Sequence, residues 1–216
     1  GRPGKIPTAD YYNRIYDYPT YKWYSTATIS NAIGQGEVLM TPIQLANMTA
    51  AISNKGWFYT PHILKEIDGN PIKDKEFTEK KHTTIDPKHF EPVVEGMHQV
   101  YKSGTASSLR IPGIEIAGKT GTAENFTKIG TKRVQLTDHS IFIAFAPVDN
   151  PKIAIAVFVE NGYWGGRYAG RIAGLMIEKY LKGTISRTDM EDWILTHSLE
   201  EEYKKPYSGE TFTINK

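Results

Sequence analysis

Apolar residues recur at Ile43, Leu45, Ala46, Met48 and Ile52, directly after Thr41 and Pro42. Thr41 is a residue type that caps a helix and Pro42 suits its first position, so a helix is predicted over 41–54, ending near Gly56. Beyond a charged, turn-rich stretch from Asp68 to Lys81, Asp86-Pro87 repeats that opening. Phe90, Val93, Val94, Met97, Val100 and Tyr101 then form an apolar stripe at helical spacing, which Ser103-Gly104 closes. There the period shortens. Ile114-Glu115-Ile116-Ala117 leads into a strand, and residues 140–146 and 153–159 read as two more, rich in β-branched and aromatic side chains. The link from Pro147 to Pro151 is short enough to join the last two as an antiparallel hairpin. A glycine-rich turn over 162–166 precedes a helix over 168–181, whose small residues suit close packing on a sheet.

The predicted fold class is therefore α+β, an antiparallel sheet with flanking helices. The opening stretch, Ile6 to Tyr24, is rich in Tyr, carries prolines at 7 and 19, and has no sustained period; it reads as an ordered loop with one helical turn, its tyrosines packed rather than displayed to sugars. From Gly183 onward the chain turns polar, with one short amphipathic piece around Trp193-Ile194-Leu195. Residues 1–183 are thus expected to form the folded portion and 184–216 a partly ordered polar tail.

With 216 residues and 39% hydrophobic content, the chain can bury one sizeable core. A formal net charge of +2, with basic residues scattered along the chain, gives no electrostatic footprint for nucleic acid. The absence of cysteine excludes disulfides and thiolate metal sites. His62, His82, His89, His98 and His197 show no metal-ligand spacing, so neither metal nor cofactor is expected. No apolar run approaches the roughly 18 to 20 residues that span a bilayer, so any anchor is expected outside this sequence.

Lys119-Thr120-Gly121-Thr122 is the most informative run. In a strand, side chains two apart share a face, so Thr120 and Thr122 can present two hydroxyls to one ligand carboxylate. Gly121 between them permits a ligand backbone to lie close, and Lys119 adds a fixed positive charge. The Thr122 N–H could face a developing oxyanion. Tyr163 and Trp164 lie in the glycine-rich turn, where packing their own loop is one reading of them. Asp138-His139 is read as a capping pair at a strand end.

Several motifs in order resemble the class B penicillin-binding proteins over roughly residues 4 to 181. Ala32-Ile33-Gly34-Gln35-Gly36 and then Thr41-Pro42-Ile43-Gln44-Leu45-Ala46 look like that family's glycine loop and following helix. Gly104-Thr105-Ala106 and Ala117-Gly118-Lys119-Thr120-Gly121-Thr122-Ala123-Glu124 are similar to the approach to its third catalytic motif, where K-T-G stands in penicillin-binding proteins and β-lactamases. Phe145-Ala146-Pro147 and Val159-Glu160-Asn161-Gly162 resemble the elongation-type members.

The resemblance implies a partial penicillin-binding transpeptidase fold, similar to that of β-lactamases, and a peptidoglycan D,D-transpeptidase activity. Lys119 would join the proton-shuttling network. Thr120 and Thr122 would bind the terminal carboxylate of a D-Ala-D-Ala stem peptide or a β-lactam, with the Thr122 N–H in the oxyanion hole. Tyr163 and Trp164 would line the same groove. By the same likeness the partners are stem peptides, β-lactams, a membrane-embedded glycan polymerase and elongation-complex proteins, at the periplasmic face of the bacterial inner membrane. The sequence departs from the family in one decisive way. No serine is followed by lysine at the third position and no Ser-x-Asn occurs, while Tyr11-Tyr12-Asn13 has no nucleophile before it and reads as coincidence. The chain is therefore expected to be the C-terminal part of a larger enzyme, inactive alone, with apolar surface exposed. The rival expectations are a non-catalytic carboxylate- or peptide-binding module and an envelope interaction domain.

Overall fold

In the computed structural model the described residues are 3–17, 19–129 and 132–204, and they divide into two compact units, 1–45 and 46–216. In the first unit lie α1 (Ala9–Ile15) and α2 (Ser25–Ala32), and the start of α3 (Pro42–Ser53). The Thr8 hydroxyl caps α1 by accepting from the Tyr11 N–H at 3.2 Å. Of the tyrosines expected to pack, Tyr12 does, whereas Tyr16, Tyr21 and Tyr24 are exposed. Tyr12, only 3% exposed, stacks on Trp23 at 5.1 Å; its hydroxyl donates to Glu37 at 2.6 Å and accepts from Asn31 at 2.8 Å. Asn13 accepts from the Trp23 indole at 2.8 Å, which gives Tyr11-Tyr12-Asn13 a packing role. Helix α2 was not predicted: its Ser-Thr-Ala-Thr-Ile-Ser-Asn-Ala sequence buries no residue and shows no apolar stripe. Helix α3 is where it was expected, and Thr41 and Gln44 form a reciprocal cap, with the Thr41 N–H donating to Gln44 Oε1 at 2.9 Å and the Gln44 N–H to Thr41 Oγ1 at 3.4 Å.

The second unit continues through β1 (Trp57–Phe58), β2 (Glu66–Ile67), β3 (Asn70–Pro71), α4 (Lys75–Thr78) and β4 (Lys81–His82), with β1 paired to β4 and β2 to β3. Asp86 then caps a single 3₁₀ turn through the Lys88 N–H at 3.0 Å, and α5 (Phe90–Lys102) follows, burying Phe90, Met97 and Tyr101 from the predicted stripe. Strands β5 (Ala117–Ile129), β6 (Lys132–Ala146) and β7 (Ile153–Val159) form one antiparallel sheet in that order. After them come α6 (Ala169–Lys182), α7 (Thr188–Thr196) and α8 (Glu200–Tyr203).

Cross-strand partners share a face, so register divides the core in two. Phe142, Ala144 and Ile155 pack with Ala169, Ala173 and Ile177 of α6, and Tyr101 meets Phe142 edge-on at 5.9 Å. Ala117 and Phe145, paired in the ladder, pack with Met97 of α5. Small residues let α6 settle onto the first face: a Cβ on Gly170 would stand 2.5 Å from the buried Leu109 side chain. Gly183, at φ 75°, ends the helix in the left-handed conformation.

Two expectations change. The middle strand was expected over 140–146 alone, yet β5 and β6 run on as a long hairpin past a register shift between Ala123 and Asn125. A polar mixture without a period hid those strands, and Asn125 ties them down, its side chain donating to the Thr137 carbonyl at 3.2 Å and to Asn161 Oδ1 at 2.8 Å. The expected polar tail also carries structure as far as it is described, with residues 205–216 outside the described residues. Glu178, fully buried on α6, accepts from Arg187 Nε at 2.9 Å and from the Ser186 hydroxyl at 2.5 Å, which clamps the chain just before α7. Trp193 of α7 stacks on Tyr168 at 5.3 Å.

Candidate functional site

Strand β5 carries Lys119, Thr120, Gly121 and Thr122 opposite Ile143, Phe142, Ile141 and Ser140 of β6. Thr120 and Thr122 therefore lie on the α6 face of the sheet. Both line a cleft of about 500 Å³, together with Thr105, Trp164, Arg167 and Arg171. The hydroxyls of Thr105 and Thr120 are 3.0 Å apart and hydrogen-bonded. Lys119 belongs to the other face by alternation, but its ammonium turns back to donate to the Thr120 carbonyl at 2.7 Å and lies 3.4 Å from the Thr120 hydroxyl. The positive charge thus sits beside the two threonines without lining the cleft between them.

The far wall is the loop from Asn161 to Tyr168, and its placement is overdetermined. Asn161 (φ 53°) and Tyr163 (φ 62°) both hold the left-handed conformation, which is strained for residues bearing a Cβ. The Tyr163 N–H donates to the Asp138 carbonyl at 3.0 Å, and the Asn161 N–H to His139 Nδ1 at 3.0 Å. Asp138 and His139 therefore anchor the loop from inside β6 and do not cap a strand end as expected. Ser140, fully buried and directly across from Thr122, donates to the Trp164 carbonyl at 2.8 Å and accepts from the Ala169 N–H at 3.2 Å. One hydroxyl therefore joins strand, loop and helix start.

Between the two threonines the loop touches the strand itself. A Cβ on Gly165 would fall 2.3 Å from the Gly121 carbonyl oxygen, 2.4 Å from that of Ile141 and 2.7 Å from the Gly121 nitrogen. The close approach expected of a ligand over Gly121 is made in this structure by the chain's own Gly165. Trp164 lines the cleft, whereas Tyr163 is not among its lining residues and stacks on Tyr203 at 6.5 Å. Thr105, Ser140, Gly165, Arg167 and Arg171 were not singled out as site residues from sequence. Their only signal there was Thr105 within Gly104-Thr105-Ala106 and a pair of arginines four apart where an otherwise apolar helix begins.

No histidine lines the cleft: His139 anchors its loop from outside, His98 pairs with Glu115 at 2.5 Å and His197 stacks on Trp193 at 4.3 Å. Among the described residues no cluster of three or more His, Cys, Asp or Glu side chains is placed to hold a metal ion. No helix among them is long and apolar enough to cross a membrane.

Residues 8–178 match the family profile described as the penicillin binding protein transpeptidase domain. A curated relative, the peptidoglycan D,D-transpeptidase MrdA of Acinetobacter baumannii, is 39% identical over 158 residues, covering 68% of this chain and 23% of the relative. The crystal structure of Pseudomonas aeruginosa PBP2 in complex with WCK 5153 superposes with a TM-score of 0.69 at 35% identity, over 86% of this chain and 40% of that one. Penicillin-binding protein A of M. tuberculosis, solved as a ceftriaxone acyl-enzyme complex, gives a TM-score of 0.59 at 34% identity, over 70% of this chain and 35% of that one. The chain spans a quarter to a third of the length of the curated relatives it matches, with 23% of one and 33% of another covered.

Proposed function

Because this chain belongs to the penicillin-binding protein transpeptidase family, we propose that it supplies the carboxylate-binding wall of an elongation-type peptidoglycan D,D-transpeptidase. The observation that carries this reading is the pair of threonines, two residues apart on β5, that open into one cleft with the Thr105 hydroxyl 3.0 Å from Thr120. Two hydroxyl donors on one face suit a terminal carboxylate, here that of a D-Ala-D-Ala stem peptide or a β-lactam. Lys119, beside them, keeps the local potential positive and joins the network that carries the proton from the nucleophile towards the leaving group. Strand β5 has a partner on only one side among the described strands, and the backbone of such a strand offers N–H groups along its outer side. The Thr122 N–H serves as an oxyanion donor to the tetrahedral intermediate.

The nucleophile is a serine in a Ser-x-x-Lys segment, which this sequence does not contain. The serine attacks the carbonyl of the penultimate D-Ala, the terminal D-Ala leaves with the proton, and the acyl group passes to an amine on a neighbouring strand. The site works at the periplasmic face of the inner membrane, with a glycan polymerase and elongation-complex proteins as partners. The missing serine favours a second reading, a module that holds carboxylate-ended peptides without turnover.

Labelling with fluorescent penicillin followed by intact-mass measurement separates the two. This chain should gain no adduct, and a form extended to include Ser-x-x-Lys should gain one equivalent, at a rate that Thr120→Val and Thr122→Val lower by about tenfold or more. An adduct on this chain alone would overturn the assignment of the nucleophile. No adduct on either form, with D-Ala-D-Ala peptides still bound, would put the binding module in its place.

A further inference from the structure

The transpeptidase reading gives no part to the residues after Gly183, yet their described portion converges on the cleft loop. Helix α7 stacks Trp193 on the ring of Tyr168 at 5.3 Å and brings His197 to the same ring at 5.9 Å. Tyr168, 5% exposed, closes the loop just before α6. Helix α8 makes a second contact near the start of the loop. Its last residue, Tyr203, stacks on Tyr163 with ring centres 6.5 Å apart and planes 14° from parallel, within the range of a favourable aromatic pair. The segment that carries these rings is itself held, by Arg187 on the buried Glu178 at 2.9 Å before α7 and by Ser198 Oγ, which accepts from the Glu200 N–H at 3.2 Å, at the start of α8. Trp193, His197 and Tyr203 do not line the cleft, so their effect on it passes through the loop. Tyr163 is the link. It holds φ 62°, a conformation that glycine adopts without strain, in a loop that has glycine at 162, 165 and 166. Its ring touches Trp164 of the cleft wall at 6.0 Å as well as Tyr203. Burial, and then the nearby Tyr163 hydroxyl, hold the Tyr203 pKa above its ordinary value, as befits a ring lodged against the loop.

We propose that the segment from Arg187 to Tyr203 is a brace for the cleft loop, in which Tyr203 and Trp193 are positioning residues that keep Trp164 in place as a wall of the cleft. The inference rests on the carboxylate reading of the threonines and gives the C-terminal segment a part in it. Trp164 is 61% exposed, so burial does not fix its ring, and Tyr163 is the neighbour through which the brace reaches it. Without Tyr203 the loop relaxes toward a less strained backbone at Tyr163 and Trp164 loses its support. Ligand capture weakens, while the bond-making step, which belongs to the serine and Lys119, does not change.

The test combines amide hydrogen exchange on this chain with penicillin acylation of a form extended to include Ser-x-x-Lys. Tyr203→Ala should speed exchange at the Asn161 and Tyr163 amides, which bond to β6, by about two- to tenfold, the range set by one lost aromatic pair. Amides within β6 and β7 should exchange as before, and the thermal midpoint should not change, because Tyr203 is half-buried at the end of a four-residue helix. In the extended form the acylation rate at low penicillin should fall by about the same factor, through a higher half-saturation concentration and an unchanged limiting rate. Tyr203→Phe keeps the ring and should restore both. Unchanged exchange in Tyr203→Ala would overturn the brace. Faster exchange with unchanged acylation would overturn the positioning role, as would a lowered midpoint with faster exchange throughout the sheet, which would make Tyr203 a stability residue only. If the extended form takes up no penicillin, the transpeptidase reading falls, and exchange on this chain still decides the brace.

Discussion

Replacing Gly165 with alanine adds one methyl group at the place where the cleft loop lies on β5. That methyl would meet backbone atoms on three sides, at 2.3 Å from Gly121 O, 2.4 Å from Ile141 O and 2.7 Å from Gly121 N, and no side-chain rotation can relieve it. Opening the shortest contact from 2.3 Å to 3.0 Å, a separation real Cβ atoms rarely undercut, requires the loop to lift by about 0.7 Å. The loop cannot lift freely, because Ser140 holds the Trp164 carbonyl at 2.8 Å and the Gly170 N–H holds the Gly165 carbonyl at 3.0 Å. Gly165→Ala should therefore cost about 1–3 kcal/mol, the usual range for overpacking a well-filled site. In urea melts, where ΔG changes by about 1–3 kcal/mol per molar denaturant, that is a midpoint lowered by roughly 1 M. Trp164 and Arg167 move with the loop, so peptide affinity should fall as well. A variant with an unchanged urea midpoint and unchanged affinity would refute the claim that this contact sets the width of the cleft.

Ser140→Ala removes the hydroxyl that serves both Trp164 O and Ala169 N, and should cost about 1–3 kcal/mol in the same melts, whereas Ser140→Thr should retain part of that bond at the risk of overpacking. Glu178→Ala leaves Arg187 without its carboxylate partner and should cost about 3–5 kcal/mol, with proteolytic nicking appearing first in the segment that carries α7. Burial would raise the Glu178 pKa, but hydrogen bonds from Ser186 and Arg187 and the Arg187 charge outweigh it and hold the carboxyl below its ordinary value. A lowered folded-state pKa stabilises the protein fully above the unfolded value near pH 4 and progressively less as pH falls through the folded value, so acid melts should lose a component that Glu178→Gln lacks. Tyr12→Phe deletes the contacts to Glu37 and Asn31 and should lower stability by about 1 kcal/mol, read as a melting shift of a few degrees.

The elements that sequence made legible are those whose side chains sort by burial. Phe90, Met97 and Tyr101 sit on one side of α5 because only that side meets the core, and the same demand alternates Phe142, Ala144 and Ala146 along β6. Where both faces are solvated, no such sorting exists. The distal arm of β5 and β6 pairs Thr127 with Val134 and Asn125 with Leu136, a mixture that carries no period. Helix α7 went unseen for a different reason. It is positioned by Glu178 and Arg187, nine residues apart, and by Trp193 against Tyr168 and Arg171; each of these contacts reaches back to polar or aromatic positions of α6 and the residue before it, which local patterning within the tail does not show.

The same distinction separates the two walls of the cleft. Thr120 and Thr122 could be read as a pair because a strand fixes side chains two apart on one face, a rule that needs no knowledge of the rest of the chain. Their opposite wall exists only through tertiary contact: Ser140 faces Thr122 across a ladder, Gly165 is pressed on Gly121 from 44 positions away in sequence, and the arginines reach the cleft because that glycine lets the loop come down. A methyl at Gly165 is predicted to disturb the cleft more than it disturbs the sheet. Comparing Gly165→Ala with Phe142→Ala tests this, since the latter empties the core and should cost about 3–5 kcal/mol. If peptide affinity fell in proportion to stability in both variants, the loop would be acting only as part of the core. If Gly165→Ala lost more affinity per unit of lost stability, the placement of Trp164 and Arg167 over the threonines would be what the glycine provides.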